Sequence, residues 1–317
     1  MARRSPEPSI ASTRPAQDRP TFTVVVPTHN RPADLARCLD ALAALDYPND
    51  RYDAIVVEDG SDTARRVVAE AQRRMSVRLV TQPQQGPAAA RNRGATEAEG
   101  EFVAFVDDDC VPEPGWLRAF VGPLGESIDA AIGGKTINAC EENLYSEATQ
   151  LVADYLTAHG TGGRPRRPAF FASCNLAVTR DSFLTVGGFD SSFPFSAGED
   201  REFCARWLAS GRELVFADGA VVDHFKQLSL SGFWRTHFRY GQGAARFRRA
   251  RARAGAPVSF ERGGFYLGLV GSPLSGQPVS RRAVALVGLL VLSQLANALG
   301  FVNMRISELL RRSRVGR

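Results

Sequence analysis

The sequence predicts an α/β fold, a mainly parallel sheet flanked by helices, followed by a helical, arginine-rich C-terminal extension. Three observations predict it. Continuous apolar runs such as "TFTVVVP" read as strands buried on both faces, the habit of parallel sheets. Segments with helical spacing separate these runs, so strand and helix alternate through the first four strands. Polar clusters follow the strands, two of them acidic, as suits the edge where open α/β sheets bind ligands.

Taken in order, "TFTVVVP" (21–27) is the first strand, and "PADLARCLDALAAL" (32–45) is a helix with Pro32 in its first turn. "YDAIVVE" (52–58), "VRLVT" (77–81) and "FVAFV" (102–106) are strands. "TARRVVAEAQRR" (63–74) and "GPAAARNRGATEA" (86–98) are the helices between them. Right-handed crossovers bring the strand C-terminal ends to one edge. That edge then carries Pro27, Thr28, His29, Asn30 and Arg31 on one loop and Glu58, Asp59, Gly60, Ser61 and Asp62 on the next. Gln84, Gln85 and Gly86 come near the third strand, and Asp107, Asp108 and Asp109 follow the fourth.

The second half alternates less clearly. "FFASCNLAVTRDSFLTVGGFD" (170–190) reads as short strand, turn, strand, helix and Gly-Gly turn. "GEDREFCARWLASG" (198–211) is a helix from about Glu199, with Gly211 just past its end. "ELVFADGAVVDHF" (213–225) reads as a hairpin turning at Asp218 and Gly219. Beyond lies "FWRTHFRYGQGAARFRRARARAG", one arginine-rich helix or two. The implied division is a lead-in over 1–20, a domain over 21–230 in two halves (21–110 and 111–230), and an extension over 231–317.

The chain of 317 residues is long enough for one large core with appendages. Its net charge is +5, with arginine heavily outnumbering lysine and concentrated after Arg235 and at both termini. This predicts an anionic partner for the C-terminal part, a membrane surface or a phosphate, and disfavours nucleic acid. The five cysteines are scattered with no CxxC pair, which reads as a reducing compartment without a disulfide framework or a zinc site. The first twenty residues are rich in Pro, Arg and Ser and have no apolar run, so they read as a disordered lead-in and not as a signal peptide. No GxGxxG or GxxxxGK[ST] opens a helix, which disfavours dinucleotide and P-loop sites.

"RRAVALVGLLVLSQLANALGFVNMR" holds an apolar stretch over 283–302, about the twenty residues a membrane span needs. Ser293, Gln294 and Asn297 interrupt its second half. An interfacial helix, a span and a helix packed on the domain all remain open. The expected location is cytoplasmic, peripheral or anchored at the cytoplasmic face of a membrane.

Three carboxylates in succession at the end of a buried strand repel one another, and no cation lies nearby in the sequence. On an extended segment Asp107 and Asp109 would share a face, with Asp108 opposite. Two carboxylates on one face suit Mg²⁺ or Mn²⁺, whose shell is usually completed by substrate phosphates. A phosphorylated ligand is therefore expected.

"VVVPTHNR", "VVEDGSDT", "GPAAARNRGA", "VAFVDDDCVPEPGW", "CNLAVTRDSFLTVGGFD" and "GEDREFCARWLASG" resemble, in order, the successive motifs of family 2 glycosyltransferases over roughly residues 22–225. The resemblance implies a GT-A fold, a nucleotide-diphosphate sugar donor, a divalent metal, inversion at the anomeric carbon and transfer of a hexose-type sugar. It implies that Pro27, Thr28, Asn30 and Arg31 contact the nucleotide, that Glu58 and Asp59 hold base and ribose, and that Gly86 lets the backbone approach. Arg91 matches the arginine of the family's ARN run, and Asp107 with Asp109 its DxD pair, Asp108 lying between them on the donor side. Asp109 is the expected direct metal ligand, Asp107 a ligand through ribose or water, and His224 a ligand from the far side. Ser173, Asn175 and Glu199 are expected at the acceptor, with Asp200 the general base and Glu199 its catalytic neighbour. The acceptor itself is open: a glycan, a lipid-linked molecule or a small molecule.

The QxxRW motif of the processive synthases is absent, so transfer of a single sugar is expected. Three other readings compete. A phosphatase would share only the DxD, a nucleotidyltransferase would need a Gly-rich loop after the first strand, and a degenerate membrane-associated binding protein would not need intact Asp107, Asp109, Glu199 and Asp200.

Overall fold

Phe22–Thr28 is buried at every position and forms β1, inside an eight-stranded sheet. A strand without alternation needs cover on both faces. Pro32–Ala43 (α1) supplies Leu35, Cys38, Leu39 and Leu42 to one side. Pro87–Glu97 (α3) lies on the other, so close that a Cβ at Gly94 would stand 2.3 Å from Val25 Cγ1. The computed structural model describes residues 20–158, 170–257, 261–275 and 280–315. Nearly all of the expected lead-in and the "GTGGRPRRP" segment (160–168) lie outside the described residues.

Tyr52–Asp59 (β2), Arg65–Ala71 (α2), Val77–Gln82 (β3) and Phe102–Phe105 (β4) complete the expected alternation. These strands join β1 in parallel, in the order β3-β2-β1-β4. The winding direction reverses at β1, so the crevice beyond the ends of β1 and β4 is the topological switch point where such sheets bind ligands.

Cys110–Pro112 (β5), Trp116–Glu126 (α4), Ala131–Asn138 (β6) and Leu144–Ala158 (α5) follow. Leu176–Thr179 (β7), Arg180–Val186 (α6), Glu199–Ala209 (α7) and Leu214–His224 (β8) complete the sheet and its helices. β7 is antiparallel to both β4 and β6, β8 runs parallel to β6, and β5 closes the edge antiparallel to β8.

Two expectations fail here. Residues 213–225 do not form a hairpin; β8 runs on through Asp218 and Gly219. Its register with β6 jumps from Gly134↔Ala217 to Lys135↔Val221, so residues 218–220 bulge. The turn residues serve the bulge because both flanks already pair with β6, and residues 222–224 also pair with β5. The short strand expected at the start of 170–190 is irregular chain instead.

The extension contains Leu230–Arg253 (α8), Gly263–Gly271 (α9) and Arg281–Val315 (α10). The arginine-rich segment is thus one helix of 24 residues, not a pair. α8 meets α10 backbone to backbone: a Cβ on Gly241 would fall 1.9 Å from the Asn297 carbonyl oxygen. On another side of α8, a Cβ on Gly243 would fall 1.9 Å from the Ala197 carbonyl oxygen, just ahead of α7.

Candidate active site

β4 delivers the three aspartates to the switch point, but not extended. The chain turns at Asp108 and Asp109, and the Cys110 N–H donates to the Asp107 carbonyl at 3.1 Å. The expected sharing of one face by Asp107 and Asp109 therefore gives way to a divergence. Arg31 Nη1 reaches Asp108 Oδ1 at 3.1 Å and Asp109 Oδ2 at 3.0 Å. Asp107 instead meets Arg91 Nη2 at 2.5 Å. The positive charge missing from the local sequence comes from α3 and from the loop after β1. Thr28 Oγ1 also donates to Asp108 Oδ2 at 2.7 Å, tying the end of β1 to the aspartate turn.

These contacts set the ionisation of the cluster. Burial, helped by Asp109 and Asp107, pushes Asp108 up to about 6 against Arg31 and Thr28. Burial acts on Asp109 in the same sense, but the hydrogen bond and charge of His224, with Arg31, hold it well below the usual carboxylate range. Burial would lower the His224 imidazole; Asp109 outweighs it and raises it.

Asp109 and His224 meet because β5 and β8 pair Cys110 with His224, and the Phe225 N–H donates to the Asp109 carbonyl at 2.8 Å. His224 Nε2 lies 3.4 Å from Asp109 Oδ1. With the Cys110 thiol, their donor atoms all fall within 4.8 Å of one another. A carboxylate beside an imidazole fits a divalent cation, and the nitrogen donor favours Mn²⁺ over Mg²⁺. Asp107, also expected as a ligand, is outside this group and engaged by Arg91.

Arg91 is almost fully buried, not a solvated helix residue. Besides Asp107 it donates to Glu199 Oε1 at 3.3 Å. Glu199 Oε2 accepts from the Ala197 N–H at 2.7 Å. Burial and the adjacent Asp200 push Glu199 up to about 8, with Arg91 opposing. Burial also raises Asp200, against the Arg201 N–H that donates to its Oδ1 at 2.7 Å. For Asp200, burial therefore outweighs the tendency of a helix N-terminus to hold a carboxylate acidic.

The remaining candidates divide. Glu58 is fully buried, and its Oε1 accepts from the N–H groups of Thr63 and Ala64 and from the Ser61 hydroxyl, shaping the loop after β2. Asp59 accepts from Gln82 Nε2 and from the N–H groups of Gln85 and Gly86, each at 2.8 Å, which joins two of the expected loops. Gly86 has φ +92°, and a Cβ there would come 3.1 Å from the Pro194 carbonyl oxygen. Asn30 has φ +56° and is exposed, its N–H donating to Ser61 Oγ, while Pro27 is buried in β1. Ser173 is buried in the turn before β7.

Asn175, expected at the acceptor, is engaged within the sheet. It is 1% exposed and fills the bulge of β8: its Nδ2 donates to the carbonyls of Lys135 at 3.0 Å and Ala220 at 2.8 Å, and its Oδ1 accepts from Trp116 Nε1 at 2.9 Å.

The sequence reading missed two residues. Asn92 makes a reciprocal pair with the Phe189 backbone, at 2.7 and 2.8 Å, and so holds the Gly-Gly turn to α3. Lys226 lies in the field of Asp109, 5.9 Å from the Tyr240 ring centre; Tyr240 most of all raises its ammonium, with Asp109 adding and burial opposing. Its position two residues after His224 was the available signal.

The match to the family described as "Glycosyl transferase family 2" covers residues 23–187, just over half of the chain, and a second match, "N-terminal domain of galactosyltransferase", covers 159–228. "Glycosyltransferase AglE" of Haloferax volcanii is 26% identical over 229 residues, covering 71% of this chain and 73% of its own. "Pre-mycofactocin glycosyltransferase" of Mycobacterium tuberculosis is 28% identical over 233 residues, covering 70% of this chain; the matched region is 46% of that relative's length, so this chain spans about half of it. A solved mannosyltransferase from Pyrobaculum calidifontis, in complex with GDP-Man and Mn²⁺, superposes with a TM-score of 0.62 at 17% identity, covering 90% of this chain and 88% of its own. TarS 1-349 of S. aureus in complex with UDP-GlcNAc gives 0.55 at 17% identity, covering 92% of each chain. Those two likenesses show the GT-A fold, and with the family match over the motifs that build the site, the chain belongs to glycosyl transferase family 2 and is a glycosyltransferase.

Proposed function

We propose that the chain moves a single sugar, with inversion, from a nucleoside-diphosphate sugar to an acceptor hydroxyl. The observation that carries this is the Arg91 bridge. One guanidinium holds Asp107 of the donor half at 2.5 Å and Glu199 of the acceptor half at 3.3 Å, so both acidic motifs face one centre. The titles of the structural neighbours, with GDP-Man and UDP-GlcNAc bound, support a nucleotide-sugar donor.

Inversion places the acceptor opposite the leaving group. Its oxygen bonds to the anomeric carbon as the bond from that carbon to the diphosphate oxygen breaks. The hydroxyl proton goes to Asp200, and the electron pair of the broken bond leaves with the diphosphate. Burial raises Asp200 and so makes it a better base than an exposed aspartate. Glu199, fixed by Arg91 and the Ala197 N–H, orients the start of α7 beside the acceptor. Thr28, Asn30 and Arg31 receive the nucleotide, and Asp59 with Gly86 shapes its pocket. Asp109 and His224 would hold a divalent cation, Mn²⁺ or Mg²⁺, which when bound neutralises charge developing on the diphosphate. Asp107, held by Arg91, serves the ribose or a water of the cation, and Ser173 lines the acceptor side. An anionic membrane surface at the cytoplasmic face belongs to the same proposal, supported by the apolar helix at Arg281–Ser307.

Thermal melting with a panel of nucleoside diphosphates tests the donor side. With Mn²⁺ present, at least one should raise the unfolding midpoint, by about 2.7 kcal/mol of stabilisation at a hundredfold excess over Kd. Asp109→Asn should lose that metal-dependent part. A full metal-dependent rise in the variant would show that Asp109 does not hold the cation.

A further inference from the structure

α10 has the wrong side out for a helix in water. A surface helix normally turns polar residues outward and its apolar stripe inward. Here Val284, Val291, Leu295, Leu299 and Val302 are 45–56% exposed. The other exposed positions between 284 and 302 are Ala or Gly. The polar residues of the same stretch turn toward the protein. Ser293 is fully buried and donates to the Leu290 carbonyl at 2.7 Å; half-buried Gln294 donates to Ser293 Oγ at 3.0 Å. Asn297 is half-buried, with its backbone against Gly241 of α8. The outer stripe runs roughly 27 Å at 1.5 Å per residue. A contiguous apolar surface of this length marks a site where something other than water is met.

The ends and the inner face decide what that is. Arg281 and Arg305 are exposed at the two ends of the stripe, which suits anionic headgroups, while Arg282 pairs with Glu147 at 2.7 Å. A helix crossing the bilayer would need hydrocarbon, or protein fit for hydrocarbon, on every side. The inner face of α10 instead packs on the domain: Leu286 with Ala148 and Phe233, and Leu290 with Val152. α8 beside it carries Arg235, Arg239, Arg246, Arg248 and Arg249, with Arg248 stacked on Phe301 at 5.2 Å. Taking these arginines to the middle of a bilayer is strongly unfavourable.

We propose that α10 lies in the plane of a membrane, its outer stripe sunk into the interface of one leaflet, and does not cross. This refines the membrane-surface reading above. It stands apart from the sugar-transfer reading, because its test uses no activity.

Full-length protein is floated with phosphatidylcholine vesicles that contain an anionic phospholipid. It should rise with them and stay bound at high salt, since the contact is apolar. Leu295→Gln with Leu299→Gln should remain at the bottom of the gradient with an unchanged circular-dichroism spectrum; Leu295→Gln alone serves if the pair misfolds. Equal flotation by variant and parent would overturn the proposal, as would loss of all binding at high salt. Single tryptophans at Val284→Trp, Leu295→Trp and Val302→Trp, each read against the parent, are then quenched with brominated lipids. Similar shallow depths are expected at all three. Deepest quenching at position 295 would show a span. A parent that does not float, but is a dimer that the double variant converts to monomer, would show a second copy on the stripe instead.

Discussion

Arg91 is a buried guanidinium that persists because Asp107 and Glu199 both face it. Asp107 supplies the compensating charge, and removing it would leave an uncompensated buried charge, which costs about 3–5 kcal/mol. The resemblance marked Arg91 and Glu199, but nothing in the local sequence says that this helix arginine points inward or that it meets both Asp107 and Glu199, the latter 108 residues further along the chain. Nor does the local sequence show that the loop after β2 folds around Glu58, whose Oε1 accepts from the Thr63 and Ala64 N–H groups. Glu199 has a consequence for stability. Its ordinary value is 4.5 and it is pushed up to about 8, chiefly by burial. Between those values the native state holds a proton that the unfolded chain has released, so stability falls as pH rises. Asp108 acts in the same sense but only up to about 6. From pH 6 to pH 8 the urea midpoint of the parent should therefore fall, and that of Glu199→Gln should fall less. Parallel slopes for the two proteins would mean that Glu199 is already ionised at pH 6.

At the scale of elements, the first four strands and their helices were legible because a buried parallel strand leaves an unbroken apolar run. Turn chemistry misled at Asp218 and Gly219: a pair that suits a hairpin serves equally in a bulge, and only the partner strand decides between them. The bulge explains Asn175, whose amide joins β6, β8 and α4. Asn175→Ala strands the Trp116 N–H and the carbonyls of Lys135 and Ala220. Each group left unpaired costs about 1–3 kcal/mol, so urea unfolding should show a loss of at least about 2 kcal/mol. Unchanged stability with lost transfer would show that Asn175 serves the acceptor and not the bulge. The aspartate turn was also hidden, because a run of identical residues gives no sign of where a strand ends.

Across the whole molecule, the sheet brings residues of both its halves to one edge, and α8, the first helix of the extension, packs beside that edge. Gly243 of α8 presses on Ala197, two residues before Glu199, while Gly241 of the same helix presses on α10. Composition had already singled out the C-terminal arginines and the apolar stretch. It could not show which face of α10 was outward, because that depends on what α5 and α8 cover. The central proposal is that Asp200 takes the acceptor proton at a centre both halves share. With one donor, acceptor and metal, kcat and donor affinity are measured for the parent, Asp200→Asn and Glu199→Gln. Asp200→Asn should keep the donor affinity while kcat falls about 10²–10⁴-fold, the range general-base catalysis supplies, with Glu199→Gln less impaired. Near-parental turnover by Asp200→Asn, beside an inactive Glu199→Gln, would contradict the assignment of Asp200 as the base.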